Sequence, residues 1–369
     1  MTDASAAARP PAGIASGVSP VRVLVVDDSA IVRGLITRQL EADPGIKVVG
    51  SAPHGEAALA ELSRRDADVV LLDIEMPVMD GLTALPLILA ARPRLKVVMV
   101  SSLTRRNAEI SLRALQLGAA DYIAKPEGGL GSADEFTRDL ISKVKALGTP
   151  SSRAAKPVAN AASAPIPTTP RPGPRPPPTV LAIGASTGGP PALLKVFAAL
   201  KGAVSQPIFL TQHMPATFTA LLAEQLSRAG DRPCREGVEG EIVEAGRCYI
   251  APGGWHMTVV RERAGPTIRL NQDPPESFCR PAVDPMFRSL AKVYGAGVLA
   301  VILTGMGADG AKGCVALADA GGRFAVQDEA TSVVWGMPGA AAETGRAEKV
   351  LPLDEVGPWM RHMASAAAA

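Results

Sequence analysis

Residues 150–178 divide the chain. Ten of these 29 residues are proline and none is acidic. Proline fixes φ and removes backbone donors, and so few large apolar side chains cannot bury a core. The composition predicts an extended, partly polyproline II linker over 148–178. At about 3.1 Å per residue it spans up to roughly 90 Å. Its four basic residues, Arg153, Lys156, Arg171 and Arg175, make at most a weak positive patch, and solvated spacing is the favoured role. The chain is therefore expected to fold as two units, for which 369 residues leave room.

The first unit, residues 21–147, alternates between apolar runs and helical stretches. Strands are expected at Val21–Val26, Ile46–Val49, Val69–Leu72, Val97–Val100 and Tyr122–Ala124. Helices are expected near Ala30–Glu41, Glu56–Arg65, Leu82–Ala91, Ala108–Leu117 and Ala133–Leu147. This (βα)5 pattern predicts a parallel sheet with helices on both faces and chemistry at the carboxyl ends of the strands. The second unit, residues 179–369, repeats the alternation less regularly. Its expected strands are Val180–Ile183, Ile208–Thr211, Cys248–Ile250, Val298–Leu303 and Phe324–Val326. Its expected helices lie near Pro191–Leu200, Phe218–Arg228, Pro285–Tyr294 and Ala311–Ala320. A β-rich insert around His256–Leu270 reads as a hairpin. The fold class is α/β throughout: a parallel-sheet unit, a Pro-rich linker, and a doubly wound α/β unit with a β-rich insert.

Composition removes several functions. A net charge of +2 gives no broad electrostatic case for nucleic acid or an anionic membrane surface. No helix-turn-helix is evident after the linker, which weighs against a DNA-binding regulator. The longest apolar runs, such as Val298–Leu303, fall far short of the roughly 20 residues that span a bilayer. Residues 1–20 are rich in Ala, Gly and Pro without an apolar h-region, so they read as a disordered tail rather than a signal peptide. Cys234, Cys248, Cys279 and Cys314 show no C-x-x-C spacing. They fit neither a zinc site nor a disulfide framework and suit a reducing, cytoplasmic setting.

Three carboxylates fall at strand ends in the first unit. Asp27 and Asp28 follow the first strand and Asp73 follows the third. Aspartates often cap helices after strands. Three of them converging would repel one another without a cation, and Mg²⁺ with oxygen ligands is the natural partner. Ser101 and Lys125 end the fourth and fifth strands. Acids, a hydroxyl and a lysine together suit phosphoryl transfer to Asp73. The stretches Val25-Val26-Asp27-Asp28-Ser29, Leu72-Asp73-Ile74-Glu75-Met76-Pro77-Val78-Met79-Asp80-Gly81, Val100-Ser101-Ser102 and Ala124-Lys125-Pro126 resemble the response-regulator receiver family. The resemblance implies phosphorylation of Asp73 by a histidine kinase. It implies Mg²⁺ held mainly by Asp28, Asp73 and the Glu75 carbonyl, with Asp27 alongside. Ser101 would be the switch hydroxyl and Lys125 the phosphate-sensing cation.

In the second unit, Gly184-Ala185-Ser186-Thr187-Gly188 fits G-x-S-x-G at a strand-to-helix turn. Glycines there let the turn lift one hydroxyl out of the sheet, although an incidental serine in a glycine turn would look the same. A nucleophilic serine needs a base and an orienting acid. Of four histidines, His213 directly follows the strand at Ile208–Gln212 and is favoured as the base. His256, in the loop before the insert, is left a binding role. Candidate acids are Asp273, Asp284, Asp309 and Asp328. Asp309 is favoured because it follows the most apolar strand; it could also cap the helix at Ala311–Ala320. Met306 N–H, in the glycine-rich loop before Asp309, is a candidate oxyanion donor. The order Ser, His, Asp departs from the common α/β-hydrolase order.

These segments resemble the catalytic domain of chemotaxis protein-glutamate methylesterases (the CheB family). The carrying motifs are Ile183-Gly184-Ala185-Ser186-Thr187-Gly188-Gly189, Thr211-Gln212-His213-Met214-Pro215 and Tyr249-Ile250-Ala251-Pro252-Gly253. They continue with Arg280-Pro281-Ala282-Val283-Asp284, Ile302-Leu303-Thr304-Gly305-Met306-Gly307-Ala308-Asp309-Gly310 and Val334-Trp335-Gly336-Met337-Pro338. The resemblance implies a Ser186–His213–Asp309 triad that needs no cofactor. The reaction would hydrolyse glutamate methyl esters on the cytoplasmic helices of chemoreceptors, with deamidation of receptor glutamines as a further activity. Regulation would come from the first unit covering the active site until Asp73 is phosphorylated. Alternatives are a receiver-controlled hydrolase of another target and a catalytically silent interaction module. Two features depart from the family pattern: the long linker, and Cys279 where many relatives carry histidine. Neither is expected to touch the triad.

Overall fold

The computed structural model describes residues 19–125, 130–148 and 177–365. The tail at 1–20 and the linker at 148–178 therefore fall almost wholly outside the described residues. Two parallel sheets organise the chain, one on each side of the linker.

The first sheet is built from β1 (Val21–Val26), β2 (Ile46–Ala52), β3 (Val69–Asp73), β4 (Lys96–Ser101) and β5 (Asp121–Ala124). Their order is β2-β1-β3-β4-β5, all parallel. β3 is buried at every position, as expected of a central strand covered on both faces. The connecting helices are α1 (Ala30–Glu41), α2 (Gly55–Arg64), α3 (Gly81–Ala91), α4 (Arg105–Gln116) and α5 (Leu130–Gly148). Their starts follow local capping chemistry. Ser29, His54, Asp80 and Thr104 each accept a backbone N–H of the first turn of their helix.

The second sheet contains β6 (Val180–Ala185), β7 (Ile208–Gln212), β8 (Cys234–Glu236) and β9 (Cys248–Ile250). A separate antiparallel hairpin, β10 (His256–Glu262) with β11 (Gly265–Asn271), forms the expected insert. The sheet resumes with β12 (Val298–Ile302), β13 (Arg323–Gln327) and β14 (Lys349–Leu351). Its order is β14-β13-β12-β6-β7-β9-β8. The helices are α6 (Gly189–Leu200), α7 (Ala216–Gly230), α8 (Val283–Tyr294), α9 (Ala311–Asp319), α10 (Met337–Glu343) and α11 (Leu353–Ser365). Among the described residues no helix is long and apolar enough to cross a membrane.

Four of these elements escaped the sequence reading: β8, β14, α10 and α11. The two strands have three residues each and flank the sheet, where five of their six positions stay partly or fully solvated and no apolar run develops. α10 is a seven-residue helix that opens with Met337-Pro338-Gly339, and α11 carries Pro358 inside it. Both weaken the helical pattern. α11 nonetheless packs on α6, with Val356 and Met360 fully buried.

The turn after β6 depends on close packing. Gly188 adopts φ +76° at the N-cap of α6, a left-handed conformation that favours glycine. Gly184 sits within β6 against α8. A Cβ there would meet Val283 Cγ1 and Cγ2 at 2.7 and 2.8 Å. Gly184→Ala should therefore lower the unfolding free energy by about 1–3 kcal/mol. Urea denaturation measures this, and a loss below about 0.5 kcal/mol would contradict the packing.

The two units meet across a continuous interface. α4 packs against α7 and α6. The Tyr122 ring stacks on Phe218 with centroids 4.2 Å apart. Leu112 and Leu115 share one apolar cluster with Leu193, Leu222 and Leu226. Thr187 Oγ1 donates to Asp121 Oδ2 at 2.7 Å in a buried hydrogen bond. Lys143 lies 3.5 Å from the same Asp121 oxygen and donates to Tyr122 O at 2.7 Å. Burial opposes its charge, but Asp121 and Asp139 outweigh that and push the Lys143 ammonium up to about 12. At the rim, Gln116 Nε2 donates to Gln225 Oε1 at 3.0 Å, and the Arg138 guanidinium lies 5.5 Å from the Phe278 ring centroid.

Candidate active site and phosphoacceptor pocket

In the first sheet, the ends of β1, β3, β4 and β5 converge. The carboxylates of Asp27, Asp28 and Asp73 place oxygens within 4.8 Å of one another. Lys125 Nζ lies 2.8 Å from both Asp27 Oδ2 and Asp73 Oδ1. Burial pushes the Asp73 carboxyl up, Lys125 pulls it back and Asp27 adds to the rise, leaving it at about 6. That cost of ionising Asp73 is what a hard cation among three carboxylates removes, so the donor set fits Mg²⁺. Asp28 and Glu75 line an open cleft of about 440 Å³ beside Asp73. Behind it, the buried Ser101 hydroxyl accepts from Ser111 Oγ at 3.0 Å, so Ser101 is tied to the inner face of α4. The sequence reading placed these five residues at the ends of the same four strands, but Ser111 gave no signal because it lies mid-helix.

In the second sheet, chain order reverses between β6 and β12. From β6 the chain winds outward through β7, and from β12 it winds the other way. Such a reversal opens a crevice at the carboxyl ends of the strands. Ser186 follows β6, His213 follows β7 and Asp309 lies in the loop after β12. The Ser186 backbone is tied on both sides: its N–H donates to Thr304 O at 3.0 Å, and its carbonyl accepts from Gln212 Nε2 at 2.9 Å. His213 N donates to Ala185 O at 3.2 Å, which ties the ends of β6 and β7.

Asp309 is 1% exposed and holds His213. Its Oδ2 lies 2.7 Å from His213 Nε2 and accepts from Val283 N at 2.6 Å. Its Oδ1 accepts from Asp284 N at 3.0 Å and Gly310 N at 2.9 Å. Burial raises the carboxyl, but His213 and the first-turn amides of α8 more than offset this and hold it below the ordinary range. An ionised carboxylate only accepts hydrogen bonds, so Nε2 carries the ring proton and Nδ1 is the basic nitrogen. Asp309 was read as a possible cap of the helix at Ala311–Ala320. The structure corrects this: the amides it caps are those of Val283 and Asp284 at the start of α8.

Two further readings are corrected. His256 is buried, its Nδ1 accepting from Ala282 N at 3.2 Å and its Nε2 lying 3.3 Å from Pro274 O. It braces the loop before α8 and presents no nitrogen to a ligand. Cys279 was expected to stay clear of the triad residues, yet its Sγ lies 3.4 Å from His213 Nδ1. Burial opposes a charged ring, but Cys279 and Asp309 outweigh it and push His213 up to about 10. Among the described residues, no hydrogen bond joins the Ser186 hydroxyl to His213. In this arrangement Nδ1 is turned to the Cys279 sulfur.

Of the other candidate acids, Asp284 accepts from Gly313 N at 2.6 Å, and burial raises it to about 6. Asp328 accepts from Thr331, and Asp273 lies exposed after β11. None of the three is hydrogen-bonded to His213. Gly305, before Met306, is pinned by its N–H to Val334 O and by its carbonyl to Gly336 and Met337 amides. That fixes the loop carrying the candidate oxyanion donor.

Fold and site together define a class: an enzyme with a serine, a histidine and an aspartate at the crevice of a parallel α/β sheet, joined to a unit with an acidic strand-end pocket. The family model for CheB methylesterase matches residues 181–360, and that for the response regulator receiver domain matches residues 23–129. A protein-glutamate methylesterase/protein-glutamine glutaminase of Azospirillum brasilense is 53% identical, aligned over 97% of this chain and 96% of that one. A group 2 operon counterpart from Rhodospirillum centenum is 52% identical, over 97% of each chain. The chain belongs to the receiver-bearing protein-glutamate methylesterase/protein-glutamine glutaminase family.

Proposed function

We propose that the chain hydrolyses γ-glutamyl methyl esters on the cytoplasmic helices of chemoreceptors, in the cytoplasm, under control of a histidine kinase. The observation that carries this is the Asp309–His213 pair beside Ser186 at the sheet crevice. The regulatory unit is taken as residues 21–147 and the catalytic unit as 179–369. Ser186 Oγ attacks the ester carbonyl and its proton passes to His213 Nδ1. Asp309 stabilises the resulting imidazolium, and Met306 N–H stabilises the tetrahedral oxyanion. The imidazolium returns the proton to the leaving methoxide, and methanol departs. Water, deprotonated by His213, then attacks the acyl-enzyme and frees the glutamate. The same attack on a glutamine side chain expels ammonia, which accounts for a glutaminase activity.

Asp73 is the phosphoacceptor in this reading. Asp28, Asp73 and the Glu75 carbonyl would hold Mg²⁺, which supplies charge neutralisation at the phosphoryl group. Asp27 keeps Lys125 beside Asp73, and Lys125 pairs with the new phosphoryl charge. Ser101 then turns from Ser111 toward that phosphoryl group. α4 loses an anchor and the interface with α6 and α7 loosens.

Methanol release from methylated receptor, with and without a small-molecule phosphodonor, tests the reading. Wild type should respond to the donor, and Asp73→Asn should show less than about a tenth of that response. A full response in Asp73→Asn would remove Asp73 from control. Absence of methanol from wild type under either condition would remove the esterase.

A further inference from the structure

We propose that Cys279 is a modification site inside the active site: it shares His213 Nδ1 with Ser186 and reacts with hydroperoxides, which reversibly stops hydrolysis. This rests on the assignment of His213 as the base. Three groups stand in line: Cys279 Sγ at 3.4 Å from His213 Nδ1, and Asp309 Oδ2 at 2.7 Å from Nε2. That is the order of a thiol nucleophile, its base and the orienting acid. Transfer of the Sγ proton to Nδ1 leaves the sulfur as a thiolate, the reactive form. Asp309 stabilises the imidazolium so formed.

The thiol is aimed by a tight turn. Glu276 and Cys279 exchange backbone hydrogen bonds of 3.2 and 2.9 Å, and Ser277 and Phe278 take φ of +52° and +63°. Non-glycine residues there persist where surroundings over-determine them. Arg288 does so by holding the Glu276 carboxylate at 2.9 and 2.5 Å. Cys279 is half-buried, whereas Cys248 and Cys314 are buried in the core. A small oxidant reaches the first and not the other two.

The step balances. The thiolate attacks one peroxide oxygen and the O–O bond breaks. Sulfur is oxidised by two electrons to sulfenic acid, and the peroxide is reduced to hydroxide, which takes the imidazolium proton and leaves as water. The added oxygen lies against Nδ1, where the Ser186 hydroxyl must bind. A dithiol reductant returns the thiol, forming its own disulfide and water.

The test treats full-length protein with hydrogen peroxide and traps sulfenic acid with dimedone, mapping labelled cysteines by mass spectrometry. Cys279 should label at least tenfold faster than the half-buried Cys234. Methanol release should fall in parallel and recover with dithiothreitol. Cys279→Ala, normalised to its own untreated rate, should lose the peroxide sensitivity. His213→Gln should slow Cys279 labelling, whereas Ser186→Ala should leave it at the wild-type rate. Labelling of Cys279 no faster than Cys234, or wild-type sensitivity in Cys279→Ala, overturns the proposal. Methanol release by untreated wild type tests the esterase reading by itself. The labelling rates in wild type, His213→Gln and Ser186→Ala stand whatever that result.

Discussion

Ser186→Ala lowers methanol release from methylated receptor by at least about three orders of magnitude, since a triad without its nucleophile retains only binding and oxyanion stabilisation. The substitution removes one oxygen. The hydrogen bonds that fix the turn, Ser186 N to Thr304 O and Gln212 Nε2 to Ser186 O, involve backbone atoms of Ser186 and survive it. Folding and receptor binding should therefore be preserved, and the loss should fall on kcat. A rate within tenfold of wild type would show that another group forms the acyl bond. Cys279 is then the first candidate, because it already contacts His213 Nδ1.

A fragment beginning at Thr179 should hydrolyse receptor esters about 10- to 100-fold faster than unphosphorylated full-length protein. The reasoning is one of effective concentration. A tether holds the two units at an effective concentration on the order of mM. A contact with a dissociation constant of about 10–100 μM then keeps the units docked in all but one part in 10 to 100. The interface supplies both apolar and polar contacts for such docking. It combines the Tyr122–Phe218 stack, the Thr187–Asp121 hydrogen bond and a shared apolar cluster. Thr187 is the residue after the proposed nucleophile, so docking acts at the serine turn itself. Equal rates for fragment and full-length protein would sink occlusion and leave phosphorylation to act by direct activation.

Much of this was legible before any coordinates. Strand-end placement brought Asp27, Asp28, Asp73 and Lys125 together, because parallel strands align their carboxyl ends and apolar runs mark those ends well. The same logic paired His213 with Asp309 across 96 positions. What escaped was everything fixed by surface turns and by edges. Cys279 reaches His213 through a turn with two left-handed non-glycine residues, and no local periodicity announces such a turn. Asp309 was legible as an acid, but its caps at Val283 and Asp284 depend on how α8 lies against β6, which is a packing result. β8 and β14 are too short and too solvated to form apolar runs. The docking of the two units was legible only as a tether, since Tyr122 and Phe218 read only as the first residues of an expected strand and an expected helix.

The Thr187–Asp121 contact has a thermodynamic corollary. Receptor helix and regulatory unit would compete for one surface beside the serine turn, so occupancy by either must weaken the other. Reciprocity then runs in both directions. Whatever factor phosphorylation adds to receptor affinity, bound receptor adds to the affinity of the acidic pocket for a phosphoryl-like ligand. A modified receptor would thus act as an effector of the unit that governs its own demethylation.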